Sequence, residues 1–152
     1  MSEEAYQGID TLVTWQRARA LMLFVHQVIV PPLPAEEKWD LASQIRRSSK
    51  SVMANIAEGH GRYYYQETIR FCYLARGSLI ETYSHLVTAN DFGYISTELF
   101  TRGTQLVEET RRPLHGYIAH LKSSKTGGDL PGGRIKEIAP DYTLDPDSLE
   151  DL

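Results

Sequence analysis

The side chains able to do chemistry in this chain are mostly cations, and they cluster. Residues 43–76 hold Arg46, Arg47, Lys50, Arg62, Arg70 and Arg76 against only Glu58 and Glu67. Guanidinium and ammonium groups at this density neutralise phosphates, with an affinity that grows with the number of contacts and falls with salt. Arg46 and Lys50 stand four residues apart, which on a helix puts them on one face, while Arg47 is turned away by about 100°. The plainer reading is that these cations are solvated or paired with Glu58, Glu67 and Glu81. Beside Arg62, the run Tyr63, Tyr64 and Tyr65 offers aromatic faces on which unstacked bases could rest. Such a cluster more often plugs the end of a fold or a subunit contact, because tyrosine suits positions that are half buried and half wet.

Other constellations point away from catalysis. The single cysteine, Cys72, excludes an internal disulfide and a cysteine zinc site, and fits a reducing compartment. A di-metal site between helices needs paired Glu-x-x-His motifs and two further glutamates. Here Glu81 and His85 stand four apart and occur once, and His26, His60, His115 and His120 are scattered. No metal or cofactor is expected. Arg19 and His26, seven apart on one helix face, are the loosest candidate for a ribonuclease pair, and the residues around them do not match such a domain. No glycine-rich phosphate loop, nucleophile elbow or Cys/His pair occurs. Asn55, Glu58 and Arg62 could line a small polar pocket at a helix end. The structural alternative has Asn55 satisfying backbone groups while Gly59 and Gly61 permit a turn, and it is preferred because those residues have such roles. No catalytic residue is expected.

Helices must position these groups. A chain of 152 residues with 41% hydrophobic content is one domain's worth and can bury a core without staples. The first helix is expected from an Asp10 cap to Val30, stopped by Pro31 and Pro32, with Ala18, Leu21, Met22, Val25, Val28 and Ile29 on one face. Leu23 and Phe24 lie off that stripe and suggest a second apolar surface. A second helix is expected from Pro34 to Gly59, with Leu41, Ile45, Ser48, Val52 and Ile56 inward and many small residues that let a neighbour approach. The third is expected over Tyr65 to Asn90, with Ile69, Cys72, Leu79, Tyr83 and Leu86 inward and Phe71 and Leu74 to the side. Ser96 should cap a fourth, carrying Leu99, Leu106, Leu114, Tyr117 and Leu121, with a kink or break at Pro113.

Four such helices with short connections predict an all-α, antiparallel up-down-up-down bundle over residues 1–122. Residues 123–152 lack periodicity and read as an irregular, Gly/Pro-containing acidic tail, with three basic residues against seven acidic ones. The acidic Met-Ser-Glu-Glu start is unlike a secretory signal, and the run Ala20–Val30 is too short and polar for a membrane span of about 20 residues. A cytoplasmic location is therefore expected.

The stretch from Leu41 to Arg62, centred on Gln44, Arg46-Arg47, Asn55-Ile56-Ala57-Glu58-Gly59 and Gly61-Arg62, resembles the signature of the bacterial proteins encoded in 23S rRNA intervening sequences. Phe71 to Glu81, with its Gly77-Ser78-Leu79, and the turn Phe92-Gly93-Tyr94-Ile95 extend the resemblance over roughly residues 9–122. It implies a four-helix bundle that assembles into a ring, with a homopentamer favoured, and no enzyme activity. A related group, the accessory proteins of diversity-generating retroelements, binds nucleic acid and a reverse transcriptase through a basic surface. The resemblance thus points to RNA or another nucleic acid as a partner for Arg46, Arg47, Lys50, Arg62, Arg70 and Arg76. A purely structural or protein-binding ring is the alternative, with Leu23, Phe24, Phe71 and Leu74 as subunit contacts. The Pro113 kink and the acidic tail depart from the simplest family pattern.

Overall fold

The structure, a computed structural model, describes residues 8–123, so the expected acidic tail, 123–152, lies outside the described residues except for Ser123, which ends the last helix. Within them the chain is helical and contains no strand. The first long helix, α1, spans Val13–Phe24 and continues as a π-turn over Val25–Ile29. α2 spans Leu41–His60, α3 Tyr65–Asp91 and α4 Thr97–Ser123. Each packs along two neighbours: α1 on α2 and α4, and α3 on α2 and α4. That is the square up-down-up-down bundle the periodicity predicts.

The interior is built from Leu21, Val25, Ile29, Ile45, Val52, Ile56, Leu79, Leu86 and Leu114, all essentially inaccessible to water. Burying each such side chain contributes roughly 1.5–3 kcal/mol before its entropy is subtracted. The α2–α3 contact differs in being polar and close. The Thr82 hydroxyl lies 2.9 Å from both the Ser48 hydroxyl and the Ser78 carbonyl, and Ser51 and Ser78 share a 2.9 Å hydrogen bond. Asn55 completes this seam by donating to the Ser51 carbonyl at 2.9 Å and to its hydroxyl at 3.0 Å. Small side chains bring the backbones together, and the hydroxyls satisfy one another where water is absent.

Several boundaries differ from expectation, each for a local reason. Asp10 does not cap α1. It belongs to a separate helical segment, and its carbonyl accepts from the Gln16 side chain at 2.6 Å, while Leu12 occupies the cap position of α1. The second helix does not start at Pro34. A single 3-10 turn, Ala35–Glu37, comes first, and Asp40 takes a non-helical conformation before Leu41. Glu37 bridges this break, because its Oε2 accepts from the Leu41 backbone N–H at 3.1 Å.

Gly59 is not the stop of α2 but lies inside its last turn. A methyl group placed there would sit 2.8 Å from Phe71 Cβ and 3.1 Å from the Thr68 carbonyl, so this glycine serves helix contact. Gly61 has φ −77°, which any residue adopts, so no special turn depends on it. Gly93, with φ +71°, is where a left-handed conformation is needed, at the end of α3. Ser96 caps α4 as expected, accepting from the Leu99 N–H at 3.2 Å. α4 then runs without a break through Pro113. Its buried residues are Gly103, Val107, Thr110, Leu114 and Ile118, so Leu99, Leu106, Tyr117 and Leu121 flank the core rather than fill it.

Candidate nucleic-acid interface

A square bundle has four outer faces, and their charges alternate in character. On the α2–α3 face the cations are paired: Arg47 meets Glu81 at 3.0 Å, and Arg62 pairs with Glu58 one turn back along α2. On the α1–α4 face Arg17 pairs with Glu109 at 3.5 Å. Exposed pairs of this kind contribute little stability. They neutralise one another's charge, and on the α1–α4 face Arg102, over Phe24, adds a further cation.

The α3–α4 face gathers cations instead. Arg76 and Lys122 both approach the ring of Tyr73, at 4.8 and 5.6 Å from its centroid. Arg111 and Arg112 follow on α4, with Glu108 between them. Arg111 holds Glu108 in a bidentate contact at 2.8–3.1 Å, and Arg112 lies 3.8 Å away. The Arg111 hydrogen bonds keep the Glu108 carboxyl below the usual carboxylate range. His115 on the same face is pushed below the ordinary histidine value, first by burial and then by Arg111 and Arg76. Arg70 adds an exposed cation on the outer ridge of α3 with no ion pair among the described residues.

The α1–α2 face carries a second, sparser set. Arg19, Arg46 and Lys50 point to this side by helical position, and none has an ion pair among the described residues. α1 contains no acidic residue and α2 only Glu58, which faces α3. His26, the residue coupled to Arg19 in the ribonuclease reading, sits in the π-turn. Its Nδ1 is 2.9 Å from the Met22 carbonyl, and its Nε2 is buried without a partner among the described residues. An imidazole anchored this way is poorly placed to exchange protons with a bound substrate.

The six cations singled out from sequence therefore do not form one patch. Arg47 and Arg62 are paired, Arg46 and Lys50 belong to the α1–α2 face, Arg76 to the α3–α4 face, and Arg70 to the ridge of α3. Sequence reasoning missed Arg111, Arg112, His115 and Lys122, which lie more than thirty residues beyond the local charge count. Their signal was a spacing: Glu108, Arg111, His115 and Lys122 recur at three, four and seven residues, one face of α4.

The remaining candidates also settle into place. Gln44 is exposed and donates to Asp40 at 2.7 Å, a helix-start contact. Tyr63 does not plug the bundle, being 86% exposed; Tyr65 is the half-buried member of that run. Phe24 is not on an outer surface either. It is 6% exposed and lies in the core beneath Arg102, whose guanidinium is 5.1 Å from its ring. Leu23 and Phe71 are half-buried, with Arg62 stacked 4.9 Å over Phe71. Leu74, 48% exposed, remains an open apolar contact on α3, and Ile80 joins it there.

No helix among the described residues is long and apolar enough to cross a membrane. The chain has no match among curated proteins. A family model, 23S rRNA-intervening sequence protein, matches residues 10–116, which takes in all of α1, α2 and α3 and most of α4. With that match over a helical bundle of the expected topology, the chain belongs to the 23S rRNA-intervening sequence protein family.

Proposed function

We propose that this protein is a non-enzymatic, oligomeric bundle that binds structured RNA or another nucleic acid through its α3–α4 face. The observation that carries the reading is the gathering of Arg76, Arg111, Arg112 and Lys122 along one face, with Glu108 as the carboxylate that Arg111 and Arg112 share. Phosphate contacts need cations that are near one another and outnumber the carboxylates among them, and this face brings four cations together beside one carboxylate among the described residues. Fluorescence anisotropy of a labelled RNA stem-loop, titrated at rising salt, tests it. Binding should be tight at low salt and weaken steeply as salt rises. No binding at low salt would remove the nucleic-acid reading.

A second reading, a structural or protein-binding ring, is favoured by the outer surface of α3. Leu74 and Ile80 are exposed there, and between them Gly77 has nothing among the described residues within 4 Å of where a methyl group would sit. That leaves room for a helix to approach. The homopentamer implied by family resemblance would use such a contact. Light scattering at micromolar concentration should give a mass several times that of the chain, and a monomer would reject the ring.

A further inference from the structure

One end of the bundle has the opposite sign from its faces. It is built from residues 31–40, between α1 and α2, and residues 91–98, the turn between α3 and α4 with the adjoining ends of both helices. These two segments carry Glu36, Glu37, Asp40, Asp91 and Glu98 against Lys38 alone. The rest of the described chain carries twelve lysines and arginines against six acidic residues. A nucleic acid is repelled from this end by the same field that attracts it to the faces.

The same two segments also expose large aromatics. Trp39 is 81% exposed and Phe92 64%. The segments that carry them are held together by a clasp. The Tyr94 hydroxyl donates to Glu37 Oε1 at 3.1 Å, and the Tyr94 ring packs on Phe92 with centroids 5.6 Å apart. The other oxygen of Glu37 caps α2 at Leu41, so the end is tied to three elements. The Tyr94 phenol is held above its usual range first by burial, then by its hydrogen bond to Glu37 and the charges of Glu37 and Glu36. Trp39 already carries a cation on its face: Lys38 Nζ lies 4.8 Å from the ring centroid. Exposed tryptophan and phenylalanine contribute little to the fold and are residue types that anchor interfaces.

We propose that this end is a docking surface for a lysine- and arginine-rich segment of a partner protein. Trp39 takes a partner cation on its ring face as it now takes Lys38, Glu36, Asp40 and Asp91 supply the counter-charge, and Phe92 packs against the aliphatic stems. Charge complementarity selects this occupant over nucleic acid, and the inference does not depend on what the α3–α4 face binds.

The test uses the full chain and a fluorescein-labelled oligoarginine peptide, followed by anisotropy at low salt. Replacing both aromatics, Trp39→Ala with Phe92→Ala, leaves every carboxylate in place, including those of residues 124–152. Affinity should fall about tenfold or more, with helical circular dichroism and assembly mass unchanged. Unchanged affinity would assign the peptide to acidic charge alone and overturn the proposal, as would no binding by the wild-type chain. A smaller assembly in the double variant would assign this end to a second copy and likewise overturn it. If the double variant loses its helical signal, Glu36→Lys with Asp91→Lys decides: a loss of similar size is expected, and unchanged binding refutes the docking surface.

Discussion

Gly59 and Gly77 have the same side chain on neighbouring helices and opposite reasons for it. At Gly59 an added methyl meets Phe71 Cβ at 2.8 Å and the Thr68 carbonyl at 3.1 Å, and neither can swing aside because both are at the backbone. Replacing glycine by alanine inside a helix ordinarily gains up to about 1 kcal/mol. At Gly59 that gain is outweighed, and Gly59→Ala should lower stability by about 1–3 kcal/mol in urea unfolding. At Gly77 nothing among the described residues lies within 4 Å, so Gly77→Ala should stabilise the isolated bundle by up to about 1 kcal/mol. The acid limb of stability belongs to the residue scale as well. Glu108 has its folded pKa lowered by Arg111, so its contribution is present above the unfolded carboxylate value and disappears as pH falls through the folded one. Glu108→Gln should therefore flatten the acidic side of a plot of urea midpoint against pH, and an unchanged slope there would contradict the assignment.

The elements were legible where apolar residues recur and where a breaker is unambiguous. α3 ends one residue beyond its expected limit because Gly93 takes the left-handed conformation that stops it, and α4 starts after Ser96 because that hydroxyl caps it. The start of α2 was not legible, because its cap comes from a side chain that precedes the helix by a turn. Glu37 reads as an ordinary first-turn acid until its contacts with Leu41 and Tyr94 are visible. Glu37→Ala should cost about 1 kcal/mol or more, since it removes a cap and leaves the Tyr94 hydroxyl without its acceptor. Tyr94→Phe should cost less, because the cap survives. The core register of α4 was also hidden. Thr110 lies in the interior with its hydroxyl donating to the Leu106 carbonyl at 2.8 Å, and Gly103 admits Leu86, so neither looks apolar in sequence. The candidate site was legible only in part, for a related reason. A charge count along the chain finds Arg76, but not Arg111, Arg112 and Lys122, which only the antiparallel packing of α3 and α4 brings to the same face.

For the whole molecule, the distribution of charge says more than its sum. The chain carries a net −4, yet its described bundle is basic on two faces, largely paired on the other two and acidic at one end. A molecule so divided can hold different partners on different surfaces, with the α3–α4 face offered to phosphates. The most direct test compares two charge swaps in the same RNA titration. Arg76→Glu with Arg112→Glu alters the α3–α4 face, and Arg46→Glu with Lys50→Glu alters the α1–α2 face by the same charge. All four residues lie outside the buried core, so both variants should keep their helical signal. The account predicts that the first swap abolishes binding of the RNA stem-loop at low salt, while the second weakens it only modestly. Equal losses from the two swaps, or binding that survives the first, would contradict it.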